Sequence, residues 1–459
     1  MAERGGKRQF ARRTLLEAAG AFTAAGLVGG AYYLGSHRPA RDWEDLGDDR
    51  LQVLTHRDDT ANGQRRLLID QWNAWHPEHQ AQMVELPAIA DLQYSAIHAA
   101  LQSESGEADV VDLDIPWIAD FAAAGRLEPF DDIDTEGFLE RPLATGRVGG
   151  RLFALPFNTN VGMLYYRAGE RSDYAEGVLS VTEAKSIEDW SGLRYAVERM
   201  LEANADFEGG IAMQLASYEG FTVNVWEYLL ANGADVAEGD GRIDFGARSE
   251  AVGLLEELAV DLHEEVGDGA HVILQDSLQY NEDESMAAFQ QGRVPFLRHW
   301  PQAVRTLRSC DLDFAVGVVP MPGGVLGGGS LAVSAHSRYK HVSRSLVEFL
   351  TGPTSQQLLF ERGGFAATRP EPYFDAIAQI ANGVAAADPC ESADGPRAEA
   401  DELYDALTGD GGPGRRPAVE RYTQFSRAFR DRLHPELASN AAPEFDGLQR
   451  HLDDAIDGK

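Results

Sequence analysis

Asp109-Val110-Val111-Asp112-Leu113-Asp114, then Trp117, then Phe121-Ala122-Ala123-Ala124-Gly125-Arg126-Leu127-Glu128-Pro129, is the stretch that decides how this chain folds. Its apolar run from Val110 to Leu113 has the length and β-branched content of a buried strand. Two strands precede it, Leu51-Gln52-Val53-Leu54 and Gln82-Met83-Val84-Glu85-Leu86. Between these, Leu67, Leu68, Trp72 and Trp75 recur at helical spacing and stop near His76-Pro77, and a further helix runs from Tyr94 to Leu101. Strand, helix, strand, helix, strand predicts a parallel sheet wrapped by helices.

Downstream, Leu152-Phe153-Ala154-Leu155 and Gly162-Met163-Leu164-Tyr165-Tyr166 read as strands around a polar break, Asn158-Thr159-Asn160. The region from Ile187 to about Gln291 reads as mostly helical. Strand character returns at Phe296 to Trp300, Asp313 to Val319 and Leu331 to Ser334. The breaker-rich Pro320 to Gly329 is expected to be a loop, and Asp388 to Arg416 an acidic surface excursion. Helices are expected at Ser343 to Leu350 and near Val419 to Leu433. There is no internal repeat at a solenoid period.

The chain has 459 residues, 44% hydrophobic and 25% charged, enough for two or three domains with real cores. Its net charge of −34 argues against a nucleic-acid-binding surface, which needs a basic footprint. Only Lys7, Lys185, Lys340 and Lys459 are lysines, so arginine carries nearly all the positive charge. Such self-repulsion suits strong salt, where the Debye length is a few ångströms, and points to a host living in high salt.

The charge is unevenly placed. Met1 to Arg41 holds seven basic and two acidic residues, so the remainder stands at −39 (−34 less a head of +5). In that head, Ala11-Arg12-Arg13-Thr14-Leu15-Leu16 precedes an uncharged stretch from Ala18 to Gly35. Adjacent arginines before a weakly apolar segment have the layout of a twin-arginine export signal. The segment is near the lower length limit of a membrane span, so retention as an anchor stays open, as does cleavage near Gly29 or Ala31. No cysteine follows it, so a lipid-modified N-terminus is not expected. Cys310 and Cys390 are the only cysteines; they lack metal-ligand spacing, and whether they pair stays open. No metal or other cofactor is expected.

Several motifs together resemble the extracellular solute-binding proteins of sugar ABC importers, of the maltose- and trehalose-binding type. These are the opening stretch; Trp72-Asn73-Ala74-Trp75-His76-Pro77; Leu155-Pro156-Phe157-Asn158-Thr159-Asn160 leading to Tyr165-Tyr166-Arg167; Tyr218-Glu219-Gly220; His299-Trp300-Pro301; and Gly327-Gly328-Gly329. Arg416-Pro417 and Tyr422-Thr423-Gln424-Phe425-Ser426 also resemble this family. With the acidic composition, the resemblance suggests a haloarchaeal source. It implies an α/β, two-lobe periplasmic-binding-protein type II fold, with hinge strands and a ligand cleft between the lobes. The implied division is residues 1–41 as signal or anchor, 42–158 plus 300–345 as the N-terminal lobe, and 159–299 plus 346–457 as the C-terminal lobe.

Sugar recognition needs aromatic faces against C–H surfaces and planar polar groups that take hydroxyls in paired hydrogen bonds. Asp114, directly after the third strand, is a candidate, with helix N-capping as its alternative role. Asn158 and Asn160 lie at the expected hinge, where relatives carry ligand-contacting polar groups; a turn is the alternative. Tyr218 and Glu219 match a family turn that faces ligand, and Trp300 is the stacking candidate, with a core tryptophan as its alternative. Gly328 and Gly329 would let backbone approach a ligand. Many relatives follow that pair with an aromatic, but here Ser330 stands there. Arg369, Trp117 and Gln93 are the weaker candidates.

No Gly-x-Ser-x-Gly elbow, His-Glu-x-x-His, Walker loop or dinucleotide fingerprint occurs. Asp112 and Asp114 as paired glycosidase carboxylates form the enzymatic alternative. The expected partners are a carbohydrate and ABC permease subunits. Expected too are a monomer on the outer face of the membrane, touching lipid only through an uncleaved head, and no nucleic acid. A chemotaxis or signalling receptor would be the alternative partner.

Overall fold

The computed structural model describes residues 43–57, 63–103, 106–237, 242–266, 269–307, 312–374, 395–409, 412–439 and 443–459. The head, Met1 to Arg41, and both cysteines lie outside these residues, and the export and cysteine-pairing expectations fall there with them. Leu46–Lys459 forms one compact unit.

The first sheet grows from the alternation read above. In chain order come β1 (Leu51–Thr55), α1 (Gln64–Trp75), β2 (Ala81–Glu85), α2 (Ala90–Gln102), β3 (Val110–Asp114) and α3 (Trp117–Ala123). β1 pairs in parallel with both β2 and β3. Val110, Val111 and Leu113 are fully buried, as a strand covered on both faces requires. β4 (Ala154–Pro156) joins through a late strand, giving five strands. The chain then passes through the short β5 (Asn160–Val161) into β6 (Met163–Ala168).

A second sheet follows, built with α4 (Trp190–Ala203), β7 (Gly209–Ala212), α5 (Glu219–Ala231), α6 (Glu250–His263), β8 (Glu265–Val266), β9 (Ala270–Ile273), α7 (Glu282–Gln290), β10 (Phe296–His299) and β11 (Ala315–Pro320). Its strand order is β8-β9-β7-β10-β6-β11. β12 (Leu326–Gly327) pairs with β5, and β13 (Gly329–Val333) then enters the first sheet between β3 and β4. α8 (Lys340–Leu350) packs on that sheet, its Phe349 ring 5.7 Å from Trp72. α9 (Gly395–Thr408) lies against β11, and α10 (Tyr422–Leu437) lies against α5, α6 and α3. Phe425 and Phe429 of α10 meet Trp226 at ring-centroid distances of 6.0 Å each.

Three expectations need correction. The stretch 187–291 is mostly helical as read, but the reading left out the strands β7, β8 and β9, of which β7 lies in the middle of the second sheet. The segment 300–345 does not belong wholly with the first sheet: β11 pairs antiparallel with β6 along six residues, and the return crossing comes at 327–329. Residues 346–363 likewise stay beside the first sheet, where Gln356 Nε2 donates to the Phe157 carbonyl at 2.7 Å, whereas Ala366, Ala367 and Tyr373 pack in the second sheet's core. The acidic excursion also contains α9, whose Leu403 and Leu407 are buried with Val318.

Candidate functional site

The two sheets are joined where β5 meets β12 and where Thr159 bridges to Ala366. Gly328 makes this crossing passable. It has φ +127°, and a Cβ there would stand 2.3 Å from the Asn158 carbonyl oxygen. Its role is therefore the close passage of two backbones.

Beside the crossing, charges from both sheets interlock. Asp114 ends β3, at the carboxyl edge where open α/β sheets place ligands. Glu219 opens α5, where the helix N-terminus favours an anion. Arg416 lies between them: Nη1 and Nη2 donate to Asp114 Oδ2 and Oδ1 at 2.9 and 2.7 Å, and Nη1 also donates to Glu219 Oε1 at 2.9 Å. Tyr422, Ser426 and Arg430 lie four residues apart on one face of α10. They donate to Glu219 at 2.5, 2.6 and 3.4 Å. Arg430 Nη2 also reaches Asp91 of α2 at 2.5 Å, so charges alternate from Asp114 through Arg416, Glu219 and Arg430 to Asp91. Burial pushes the Glu219 carboxyl above its ordinary range, and Arg416 pulls it back.

A second group lies under the second sheet's edge. Glu282 accepts from the Tyr218 hydroxyl at 2.8 Å and from Trp300 Nε1 at 3.3 Å. Burial, then the Glu282 charge, raises the Tyr218 hydroxyl well above its ordinary value, so it remains a donor. Arg298 lies over the Trp300 ring, 3.9 Å from its centroid. The Trp300 ring is half-buried and borders the crossing: a Cβ on Gly327 would be 3.2 Å from it. On the first sheet, Asn158 Oδ1 accepts from Arg65 Nη2 at 3.3 Å.

Asp114, Asn158, Asn160, Tyr218, Glu219, Trp300, Gly328 and Gly329 thus gather at the crossing. Three candidates stand elsewhere. Trp117 is buried in the core, edge-on to Tyr94 at 5.5 Å. Gln93 donates to the Pro87 carbonyl at 2.8 Å. Arg369 donates to the carbonyls of Thr351 and Glu136, each at 3.0 Å, and covers Phe138. Ser330 is fully buried inside the first sheet between Leu113 and Pro156, so an aromatic there would face the core. Sequence reasoning missed Arg416, Arg430, Glu282 and Asp91. The Tyr422, Ser426, Arg430 stripe was the available signal, since it sets a polar face beside the apolar Phe425, Phe429, Leu433 face.

Asp120 of α3 adds a titratable contact to α10. It accepts from the Tyr422 N–H at 3.3 Å, the Tyr94 hydroxyl at 3.3 Å and the Thr423 hydroxyl at 3.4 Å. A cavity of about 180 Å3 opens beside it, lined by Tyr94, His98, Arg126, Glu420, Arg421 and Gln424. Burial raises the Asp120 carboxyl to about 7. Because that folded-state value lies above the unfolded one, its stabilisation is complete below about pH 4 and lost as pH rises through 7. Asp261, raised to about 6 by burial, acts in the same direction. Urea unfolding from pH 5 to 8 is expected to show falling stability, with Asp120→Asn flattening the slope. An unchanged slope would refute the assignment.

Among the described residues, no group of three or more His, Cys, Asp or Glu could hold a metal ion, and no helix is long and apolar enough to cross a membrane.

The family of bacterial extracellular solute-binding proteins matches residues 82–386. A Deinococcus radiodurans protein named "Probable ABC transporter-binding protein" is 24% identical over 392 residues, covering 81% of this chain and 85% of its own. A maltotriose-binding protein of Pyrococcus abyssi is 23% identical, covering 61% of this chain and 52% of its own. Among solved structures, a maltose-bound protein of T. maritima superposes with a TM-score of 0.69 at 22% identity, covering 89% of this chain and 98% of its own. A glycerophosphocholine complex from Mycobacterium tuberculosis gives 0.67 at 16% identity, covering 90% and 99%. These similarities fit the two-lobe α/β type II fold.

Proposed function

The chain belongs to the bacterial extracellular solute-binding proteins, and from that premise we propose that it captures a mono- or oligosaccharide in the interlobe cleft and delivers it to the permease of an ABC importer. The carrying observation is the Asp114–Arg416–Glu219 triad, in which groups from both sheets converge on one point. A solute held there touches both lobes at once, and closure is then a hinge motion about the 158–160 and 327–329 strands. The lobes are the bodies around the two sheets, with β11 in the second. Asp114, Glu219, Arg416, Asn158 and Asn160 are hydroxyl partners, Tyr218 a donor, and Trp300 the platform. Relatives of this fold are named with bound maltose and tagatose, both rich in hydroxyls, which supports the same class here.

The protein is exported by the twin-arginine route, works as a monomer in strong salt outside the membrane, anchored or released, and does not turn its ligand over. A chemotaxis or signalling receptor would use the same cleft with another partner.

Thermal-shift and calorimetric screening in molar salt against mono- and oligosaccharides tests this. A bound sugar is expected to raise the melting temperature by mass action and to be recovered unchanged. Conversion of the sugar would sink the binding-only reading, and a response to peptides or polyamines alone would sink the class. Asp114→Ala and Trp300→Ala are each expected to weaken binding tenfold or more while the fold persists; unaltered affinity in both would remove the cleft assignment.

A further inference from the structure

Several buried polar atoms at the crossing have no partner among the described residues: His56 Nε2, Asp112 Oδ1, Thr159 Oγ1 and Asn160 Oδ1. Asp112 stands out because its side chain is wholly buried and half of its carboxylate is answered. Oδ2 accepts from the Thr55 hydroxyl at 3.1 Å and faces Arg65 at 3.7 Å and His56 at 3.9 Å. Oδ1 points at Gly329 instead. A Cβ there would lie 2.3 Å from Asp112 Oδ1 and 3.1 Å from Asn158 Oδ1. The missing side chain is what makes room for the carboxylate.

Asp109, at the start of the same stretch, shows what a purely structural acid looks like here. Its Oδ1 takes the Ser337 hydroxyl at 2.6 Å and its Oδ2 the Gln52 N–H at 2.8 Å, so both oxygens are served. A buried oxygen left unserved is costly, and such groups ordinarily find a donor. Asp112 lies on the same face of β3 as Asp114, two residues deeper, in the strand that ends at the cleft.

We propose that Asp112 is a specificity-determining residue of the cleft, whose Oδ1 receives a hydroxyl of the bound solute, while Gly329, lacking a Cβ, leaves the carboxylate room to take that position. The inference rests on the carbohydrate reading above. A neutral hydroxyl fits better than an ammonium because the Arg65 guanidinium already occupies the site, stacked on Phe365 at 4.8 Å. Asparagine at 112 would keep its carbonyl toward the donors Thr55 and Arg65 and turn its amide N–H2 to the Oδ1 position. An acceptor becomes a donor with shape conserved.

The test is calorimetry on the full chain in molar salt with maltose, maltotriose, trehalose, mannitol and glucosamine. Asp112→Asn is expected to weaken binding of the preferred neutral sugar at least tenfold, with its unfolding midpoint close to wild type. Gly329→Ala, which displaces Oδ1, is expected to lose a similar factor and to add nothing in the Asp112→Asn background; it also serves if Asp112→Asn folds poorly. Wild-type affinity in both variants overturns this proposal and leaves the carbohydrate reading standing. Binding of glucosamine alone, lost in Asp112→Asn, overturns the hydroxyl assignment. If wild type binds none of the five, the carbohydrate reading falls and this inference falls with it.

Discussion

Arg416→Ala is expected to destabilise the protein by about 3–5 kcal/mol, because it strands the Asp114 carboxylate of β3 and the Glu219 carboxylate of α5 in a water-poor place. Arg416 is 7% exposed and Glu219 8%, so water replaces little of what the guanidinium supplies. Asp114 loses both of its short contacts at once, while Glu219 keeps Tyr422, Ser426 and Arg430. Lysine is a poor substitute, since a point charge cannot reproduce the fork that serves Asp114 twice and Glu219 once. Arg416→Lys is therefore expected to fall between wild type and alanine. Urea unfolding, compared at equal m-value, measures the loss. Salt makes the test sharper. Exposed ion pairs fade in molar salt, but a buried triad is screened much less, so the difference between wild type and Arg416→Ala should persist there. A difference below about 0.5 kcal/mol, the range of ordinary surface substitutions, would mean the triad does not form. On the proposed site, sugar affinity should fall together with stability, because the same guanidinium orients both acids.

Asp114 and Asn158 were readable in sequence because each follows an apolar run. Asp114 follows Val110-Val111-Asp112-Leu113, and Asn158 follows Leu155-Pro156-Phe157. Arg416 had no such contrast. It closes an acidic, glycine-rich stretch, and its partners Asp114 and Glu219 are 302 and 197 residues away. Trp117, Gln93 and Arg369 show the converse, since the same residue types also fill cores and hold loop carbonyls. In the fold, β7 was hidden because Gly209 and Gly210 carry no apolar signal. They are required sterically: a Cβ on Gly210 would be 2.1 Å from Val197 Cγ1, and one on Gly209 would be 2.8 Å from Leu274 Cα. The crossing was misplaced for a similar reason. Trp300-Pro301 ends a strand and resembles an exit, yet the chain turns back through Ala303–Leu307 and adds β11 first. The backbones pass closely at the glycines of 327–329, where a Cβ on Gly328 would stand 2.3 Å from the Asn158 carbonyl oxygen.

Arg298→Ala is expected to be at least as damaging, and a double-mutant cycle separates the reason from general core disruption. Arg298 and Glu227 are fully buried and paired through two bonds of 2.6 and 2.7 Å, with Arg298 Nη1 also donating to Gln214 Oε1 at 3.0 Å. Removing the arginine leaves the Glu227 carboxylate with the Val325 N–H, at 3.1 Å, in place of the two guanidinium bonds. The cost should be about 3–5 kcal/mol, the usual range for an uncompensated buried charge. Arg298→Met with Glu227→Gln removes both charges and keeps an acceptor for Val325. It should be more stable than Arg298→Met alone, with a coupling of up to about 3 kcal/mol. Near-zero coupling would mean that the pair is not formed in solution. The pair also links the crossing to the platform. Glu227 holds Val325 just before β12 and fixes the guanidinium that lies over Trp300. The rescued double variant should therefore recover stability but not the wild-type emission of Trp300, which loses its cationic neighbour. Its sugar affinity should stay below wild type for the same reason, since the ring is then free to leave the cleft wall.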